Sequence, residues 1–491
     1  MIDTRAVGAY ISQLRRDADL TQAEMANKLN VTHQAVSKWE NGLALPDVQT
    51  LLDLANLFGV SIEQILGGGT RITAGPVGSV GQLIRREEPM DYRVHQGAKL
   101  SAIGVGCYAL SGAYGQKDVG GIKAMLHRAH ELGVNLFDTA EAYGDAESVL
   151  GDAVRPFRDE ILISTKVGVR SGFKPSLSRD YVRSACEESL KRLGTDWIDI
   201  YSVHFDDPET PVHETVDALE DLVKQGKIRK YGLGHLPIER VAEYADLGSV
   251  FSVLMEFSAV SRQSSKDLLS FCMQRNIAAI GFSVTGRGLL TGKVNEQTRF
   301  EDQDIRTIDP QFQRERLEFS LRVAAKLEEV GKRHGRTPVQ VAIRWAVAQP
   351  GITSVLTGPS SVEHLEENLG GIGSELSPDE LSKINSYLDQ QEAWLREAQE
   401  QAVWSILHDS ISSDIPKTFV DLVYCIETAI GLGRVQEKEV LPIFYELLGM
   451  QSRLAETSRS DLERIQSTLR EIIPTTGPAT GAVSAMEGEQ A

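Results

Sequence analysis

Four residues that could share one proton transfer stand at or just beyond the ends of apolar runs. Asp138 and Tyr143 lie in "NLFDTAEAYG" (135–144), Lys166 closes "ILIST", and His204 closes "IDIYSV". A phenol is a poor acid, with an ordinary pKa of about 10. An ammonium beside it favours phenolate and lowers that value, and a carboxylate beside the ammonium keeps it charged. A histidine at the same point can orient a carbonyl oxygen. Together these groups imply a proton donor to an oxygen that becomes an alkoxide as hydride reaches its carbon.

Such residues must be brought together by the elements that carry them. Between 97 and 390, short β-branched runs alternate with amphipathic helical patterns: "AIGVG", "VNLF", "ILIST", "IDIYSV", "RKYGLG", "FSVLM", "IAAIGF" and "ITSVL". Eight strands separated by helices predict a (β/α)8 TIM barrel, whose catalytic groups belong at the C-terminal ends of strands. No GxGxxG follows the first strand, which argues against a doubly wound sheet. From 391 to 473 the strand signal vanishes. "VWSILHDSI", "TFVDLVYCIETAIGL" and "VLPIFYELLGMQ" predict an α-helical C-terminal extension, and 474–491 reads as a disordered tail.

The chain therefore reads as multidomain, with an all-α segment (1–67) before the barrel and a Gly-rich linker (68–96) between them. In "LTQAEMANKLNVTHQAVSKWENG", Thr21 and Glu24 have the spacing of a capping box, and Thr32 caps a second helix running through Trp39. Ala26, Val31, Val36 and Trp39 suit a helix-turn-helix core. His33, Gln34, Ser37 and Lys38 then fall on the outward side, where they can meet bases or phosphates.

Bulk properties limit the partners. The net charge of −18 excludes a general polyanion binder, so any contact with double-stranded DNA must be local. Residues 1–70 carry five Lys/Arg against eight Asp/Glu, a local balance of −3, so a single copy should bind weakly and a homodimer is expected. Cys107, Cys186, Cys272 and Cys425 are too scattered for a disulfide framework or a zinc site, and no metal is expected. With neither a signal-peptide pattern nor a spanning apolar run, the expected location is cytoplasmic, away from membranes.

Two resemblances follow from these motifs. Residues 5–66 resemble the five-helix DNA-binding domain of phage-repressor and XRE-type regulators, through the "Q-A-E…A-x-x-x-x-V-T-x-x-x-V-S-x-W-E-N-G" run and the later "L-A-x-x-F-G-V-S". This resemblance implies that Gln22 and Thr32 contact phosphate while His33, Gln34 and Lys38 face the major groove. Residues 97–390 resemble the aldo-keto reductase superfamily, through "NLFDTAEAYG", "ISTKVG", "IDIYSVHFDD", "GRGLLTGK" and "TGPSSVEHLEEN" in that order. It implies a catalytic tetrad of Asp138, Tyr143, Lys166 and His204, and NADP(H) as cofactor, with NAD(H) open because Ser361 stands where a base often meets the 2′-phosphate.

The same resemblance places Gly286, Gly288, Leu289 and Lys293 over the cofactor pyrophosphate, and Gly358, Ser360, Ser361, His364, Glu367 and Asn368 on the adenosine side. Phe257 takes the position of the ring that stacks on nicotinamide. The run "GRGLLTGK" is also similar to a P-loop, but Arg287 and Val294 occupy required positions and exclude that reading. Gly234, His235 and Leu254 replace the family's usual Ser, Asn and Gln around the carboxamide. His235 can restore one hydrogen bond there, and Leu254 cannot.

The expected function is a DNA-binding transcriptional regulator fused to a reductase domain that senses or reduces a small carbonyl compound. The alternatives are an active reductase whose helix-turn-helix serves localisation or autoregulation, and a catalytically dead barrel serving for dimerisation. The helices after 391 suit either a dimer surface or packing on their own barrel.

Overall fold

The computed structural model describes residues 4–475 except 19, 30, 47, 59, 61–64, 66–89, 116, 170–174, 263–264, 302–303, 374 and 452–456. The chain divides into two compact units, 1–83 and 84–491.

The first unit contains α1 (Thr4–Asp17), α2 (Gln22–Lys28), α3 (His33–Glu40) and α4 (Val48–Phe58). Thr21 caps α2 through the expected box: its hydroxyl accepts from Glu24 N at 3.2 Å, and its own N–H donates to Glu24 Oε2 at 2.8 Å. Thr32 Oγ1 accepts from Ala35 N at 3.2 Å and so starts α3. The helices close on Val7, Ile11, Met25, Ala26, Val36, Trp39, Leu51 and Leu54, with Val31 partly buried against them. A fifth helix, expected before 66, lies outside the described residues except for the buried Ile65.

The second unit is built on a closed parallel barrel of β3 (Ile103–Gly106), β4 (Leu136–Asp138), β5 (Leu162–Val167), β6 (Ile198–Val203), β7 (Ile228–Leu233), β8 (Val250–Glu256), β9 (Ala278–Phe282) and β10 (Ile352–Thr357). β10 closes the ring against β3, pairing Val355 with Ile103. Successive barrel strands are joined through α5 (Val119–Glu131), α6 (Ala146–Val154), α7 (Arg179–Leu193), α8 (Val212–Lys224), α9 (Ile238–Leu247), α10 (Lys266–Arg275), and then α11 (Arg314–His334) with α12 (Pro338–Val347). These strands are buried on both faces, as expected where helices cover the outside and side chains fill the inside.

Most of the linker expected at 68–96 lies outside the described residues. Its end is ordered. β1 (Tyr92–His95) pairs antiparallel with β2 (Ala98–Ser101) around Gln96–Gly97, both at positive φ, which is the backbone a tight hairpin turn requires. Leu100 of this hairpin joins Leu136, Ile200, Phe251, Leu254, Ile280 and Leu356 in the barrel's inner apolar layer.

After α13 (Val362–Leu369), the chain enters α14 (Pro378–His408), which runs without a break through position 390. Its first half buries Ile384 and Leu388 against the barrel core. Its second half buries Ala402, Val403, Ile406 and Leu407 in a separate core with α15 (Ile415–Gly431), α16 (Glu437–Gln451) and α17 (Arg459–Ile472). The C-terminal extension is thus a helical bundle with a core of its own.

Candidate active site and nucleic-acid interface

Asp138 ends β4 and Lys166 lies on β5. The strand register aligns Asp138 with Ser164, one pleat below Lys166. Lys166 Nζ donates to Asp138 Oδ1 at 2.5 Å and to the Thr139 carbonyl at 2.7 Å, while Ser164 Oγ donates to Asp138 Oδ2 at 2.8 Å. Both ionic side chains are buried. Burial pulls the Lys166 pKa down, but attraction to Asp138 and Tyr143 and the Asp138 hydrogen bond outweigh it, and the net direction is up.

Tyr143 is half-buried, its ring centroid 5.3 Å from Lys166 Nζ and 5.8 Å from the His204 ring, which it meets edge-on. All four residues of the expected tetrad therefore converge at the C-terminal end of the barrel. One electrostatic expectation needs correction. Burial raises the Tyr143 phenol, Lys166 lowers it, and Asp138 raises it again, so the net value lies above the ordinary one. His204 is buried, and desolvation, then Lys166, then His235 push its pKa down to about 2. Its imidazole is neutral at physiological pH.

Other rings extend this centre along the barrel mouth. Tyr108 meets Tyr143 edge-on at 5.1 Å and Tyr114 at 5.6 Å. On the other side Phe205 stacks on His204 at 4.5 Å and on His235 at 4.8 Å, and His235 reaches Phe282 at 5.0 Å. His235 is exposed as a residue, yet desolvation among these rings, then Lys166 and Arg287, lowers its pKa. Tyr108, in a short 3-10 turn at 107–111, and Phe205, on the loop after β6, carry no periodic signal in the sequence. Ser164 was readable: it lies two residues before Lys166 and must share its side of the strand.

The expected cofactor residues lie on or follow β7, β8, β9 and β10, four neighbouring strands of the barrel. Gly286, Arg287 and Gly288 follow one another at φ of 59°, 54° and 101°, making a left-handed turn, and a Cβ at Gly286 would crowd the side chains of Val260 and Leu290 at 3.0 and 3.3 Å. Leu289 is buried beneath the turn, and Lys293 pairs with Glu367 at 2.9 Å. Beyond β10, Gly358 and Ser360 are exposed, Ser361 caps α13 by accepting from His364 N at 3.2 Å, and Ser360 Oγ lies 3.2 Å from His364 Nδ1. Asn368 is buried.

Two residues expected around nicotinamide pack inward. Phe257 is buried with one face stacked on Trp345 at 5.5 Å. Leu254 belongs to the barrel's inner apolar layer, close beneath Gly234. A left-handed glycine turn, serine hydroxyls at a capped helix start and a neutral histidine beside the phenol suit a dinucleotide with a reactive planar ring. Among the described residues no group of three or more His, Cys, Asp or Glu could hold a metal ion, and the four cysteines are buried and unpaired.

On the first unit, Thr32, His33, Gln34 and Lys38 are exposed along α3, and Ser37 is half-buried. Gln22, expected at a phosphate, donates to the Glu40 carboxylate at 2.7 Å, which Arg15 also holds at 2.6 Å. The exposed side of α3 thus keeps four of the expected DNA-facing residues available.

A closed parallel barrel with a buried lysine–aspartate pair beside a phenol and a neutral histidine defines a class of carbonyl-reducing enzyme. The model of the aldo/keto reductase family matches residues 102–389, and the chain belongs to that family. It is 30% identical over 302 residues to aldo-keto reductase YhdN of Bacillus subtilis, covering 60% of this chain and 91% of that protein. It is 31% identical over 298 residues to probable aldo-keto reductase 1 of Glycine max, covering 59% and 86%. A solved glycerol dehydrogenase from Gluconobacter oxydans superposes with a TM-score of 0.57 at 26% identity, over 61% of this chain and 96% of that one. A helix-turn-helix model matches residues 11–65, which suggests DNA binding by the first unit. The protein is an oxidoreductase, and reductases of this family use NAD(P)H. Among the described residues no helix is long and apolar enough to cross a membrane.

Proposed function

We propose that the barrel is an NADP(H)-dependent carbonyl reductase and that its cofactor or carbonyl ligand governs DNA binding by the helix-turn-helix unit. The observation that carries the enzymatic part is the buried Lys166–Asp138 pair 5.3 Å from the Tyr143 ring. When bound, reduced nicotinamide supplies hydride to the carbonyl carbon. The Tyr143 hydroxyl gives its proton to the carbonyl oxygen, leaving phenolate. Its raised pKa keeps it protonated until that moment, and Lys166 stabilises the anion that remains. Asp138 keeps Lys166 charged in a buried site. Neutral His204 offers one N–H to the same oxygen and adds no positive charge of its own.

Gly286, Gly288, Leu289 and Lys293 would hold the pyrophosphate, and Gly358, Ser360, Ser361, His364, Glu367 and Asn368 the adenosine end. Gly234, His235, Leu254 and Phe257 would border the nicotinamide. His33, Gln34, Ser37 and Lys38 would read DNA, with Thr32 on phosphate, in a dimer on an inverted repeat. NADPH fluorescence titration tests the first part. Gel shifts with NADPH and with an aldehyde test the second: a change in operator affinity with either ligand supports regulation, and unchanged affinity with both contradicts it.

A further inference from the structure

Residues 304–316 join three parts of the second unit. Ile305 N donates to the Ala113 carbonyl at 2.9 Å, tying the segment to the loop after β3. Asp309 is 6% exposed; its Oδ1 accepts from Gln311 N at 2.9 Å, and its Oδ2 pairs with Arg287. Ile308 packs against the core of the C-terminal bundle. The next residues meet α15 directly: Arg314 pairs with Asp421 at 3.0 Å, Glu315 accepts from the Tyr424 hydroxyl at 3.1 Å, and Arg316 donates to Thr428 Oγ1 at 3.2 Å.

Arg287 is the unusual residue of the turn it occupies. It takes φ of 54° between two glycines that are also left-handed, a backbone disfavoured for any residue with a Cβ. Such a conformation persists where surrounding contacts determine it. Here Asp309 and Glu256, the latter at 3.3 Å, grip the guanidinium from two sides. Neither carboxylate is on the turn. Asp309 itself belongs to the segment that the bundle holds.

We propose that Asp309 is a positioning residue: fixed by the C-terminal bundle, it holds Arg287 and thereby keeps the 286–292 turn in the shape that receives the cofactor pyrophosphate. The bundle is then a working part of the cofactor site, and its docking on 304–316 sets cofactor affinity. This rests on the reading of that turn as the pyrophosphate seat.

The test uses the full chain with Asp309→Asn, Asp309→Glu, Arg287→Ala, Asp309→Asn with Arg287→Ala, and Ile308→Ala with Asp421→Asn. Hydrogen exchange at 286–292 is read without cofactor, and NADPH dissociation constant, KM and kcat are read with it. Asp309→Asn and the Ile308/Asp421 pair are expected to speed exchange at 286–292. They should also raise NADPH Kd and KM about tenfold, the size expected for one charge-assisted contact, with kcat nearly unchanged. Asp309→Glu recovers part of the loss. Asp309→Asn adds little once Arg287 is Ala, because the two act as one unit.

Unchanged exchange and affinity in Asp309→Asn would overturn the role of Asp309. A normal turn in the Ile308/Asp421 variant would overturn the role of the bundle, and full additivity with Arg287→Ala would overturn the route between them. If the wild type binds no NADPH, the cofactor reading falls, while exchange at 286–292 still decides the coupling.

Discussion

Lys166 Nζ lies 2.5 Å from Asp138 Oδ1, with both side chains almost wholly removed from water. A buried pair of this kind is costly to break from one side, because the remaining charge keeps its desolvation penalty without its partner. Lys166→Met is therefore expected to destabilise the barrel by about 3–5 kcal/mol. Replacing both members, Lys166→Met with Asp138→Leu, should recover much of that stability while leaving no activity. Denaturant unfolding followed by barrel tryptophan fluorescence checks the first point, and aldehyde-dependent NADPH oxidation the second. A double variant as unstable as the single one would show that the pair itself is not the source.

His204 gives the acid limb of stability a specific origin. Its folded pKa is pushed down to about 2 by burial, then by Lys166 and His235, against an ordinary value of 6.5. Above pH 6.5 neither state holds the extra proton, so His204 contributes no pH dependence. As pH falls below 6.5 the unfolded chain binds a proton that the folded chain refuses, and stability declines toward the folded value. His204→Gln should therefore show a shallower loss of thermal midpoint between pH 7 and pH 5 than wild type. Parallel curves would remove His204 as the cause.

The barrel was legible because its strands are buried on both faces and read as unbroken apolar runs; "IDIYSV" is β6 residue for residue. Asp138, Lys166 and His204 were legible for the same reason, since each follows such a run. Other features depend on what tertiary packing brings near. The direction of the Tyr143 pKa is set by burial outweighing Lys166, and sequence spacing cannot weigh the two. One face of Phe257 is taken by Trp345, 88 positions away in the chain. The β1–β2 hairpin carried a readable signal, Gln96–Gly97 between alternating residues, hidden by the low-complexity stretch before it. For the helices after 390, an apolar stripe announces burial and does not say against what. The structure answers with a core of their own and contacts to Arg314, Glu315 and Arg316 of the same chain.

Leu254 packs among the inner apolar residues of the barrel. A glutamine there would supply the amide that the family resemblance implies beside nicotinamide, but would bury it among Phe251, Ile280 and Leu356. Leu254→Gln is expected to cost about 1–3 kcal/mol in the free protein, the penalty for an unsatisfied buried amide. Added NADPH should recover part of this if the amide meets the cofactor. Thermal melts with and without NADPH measure both effects. An unchanged melting temperature in the free protein would show that the layer tolerates the amide.

Lys38 is exposed on α3, outside the core formed by Val36 and Trp39. Lys38→Ala should weaken operator binding and leave the fold of the first unit intact, as removal of a groove or phosphate contact does. Footprinting on an inverted repeat with half-sites roughly 34 Å apart, one turn of duplex, checks the paired arrangement. Protection of a single half-site by a monomer would refute it.

The central claim is that the Tyr143 hydroxyl donates the proton in carbonyl reduction, supported by Lys166, Asp138 and neutral His204. Its most direct test is aldehyde-dependent NADPH oxidation by wild type and Tyr143→Phe, with NADPH affinity measured on both. Losing the general acid should lower kcat about 10²–10⁴-fold while the NADPH dissociation constant hardly moves. Equal turnover by the two proteins would contradict the claim.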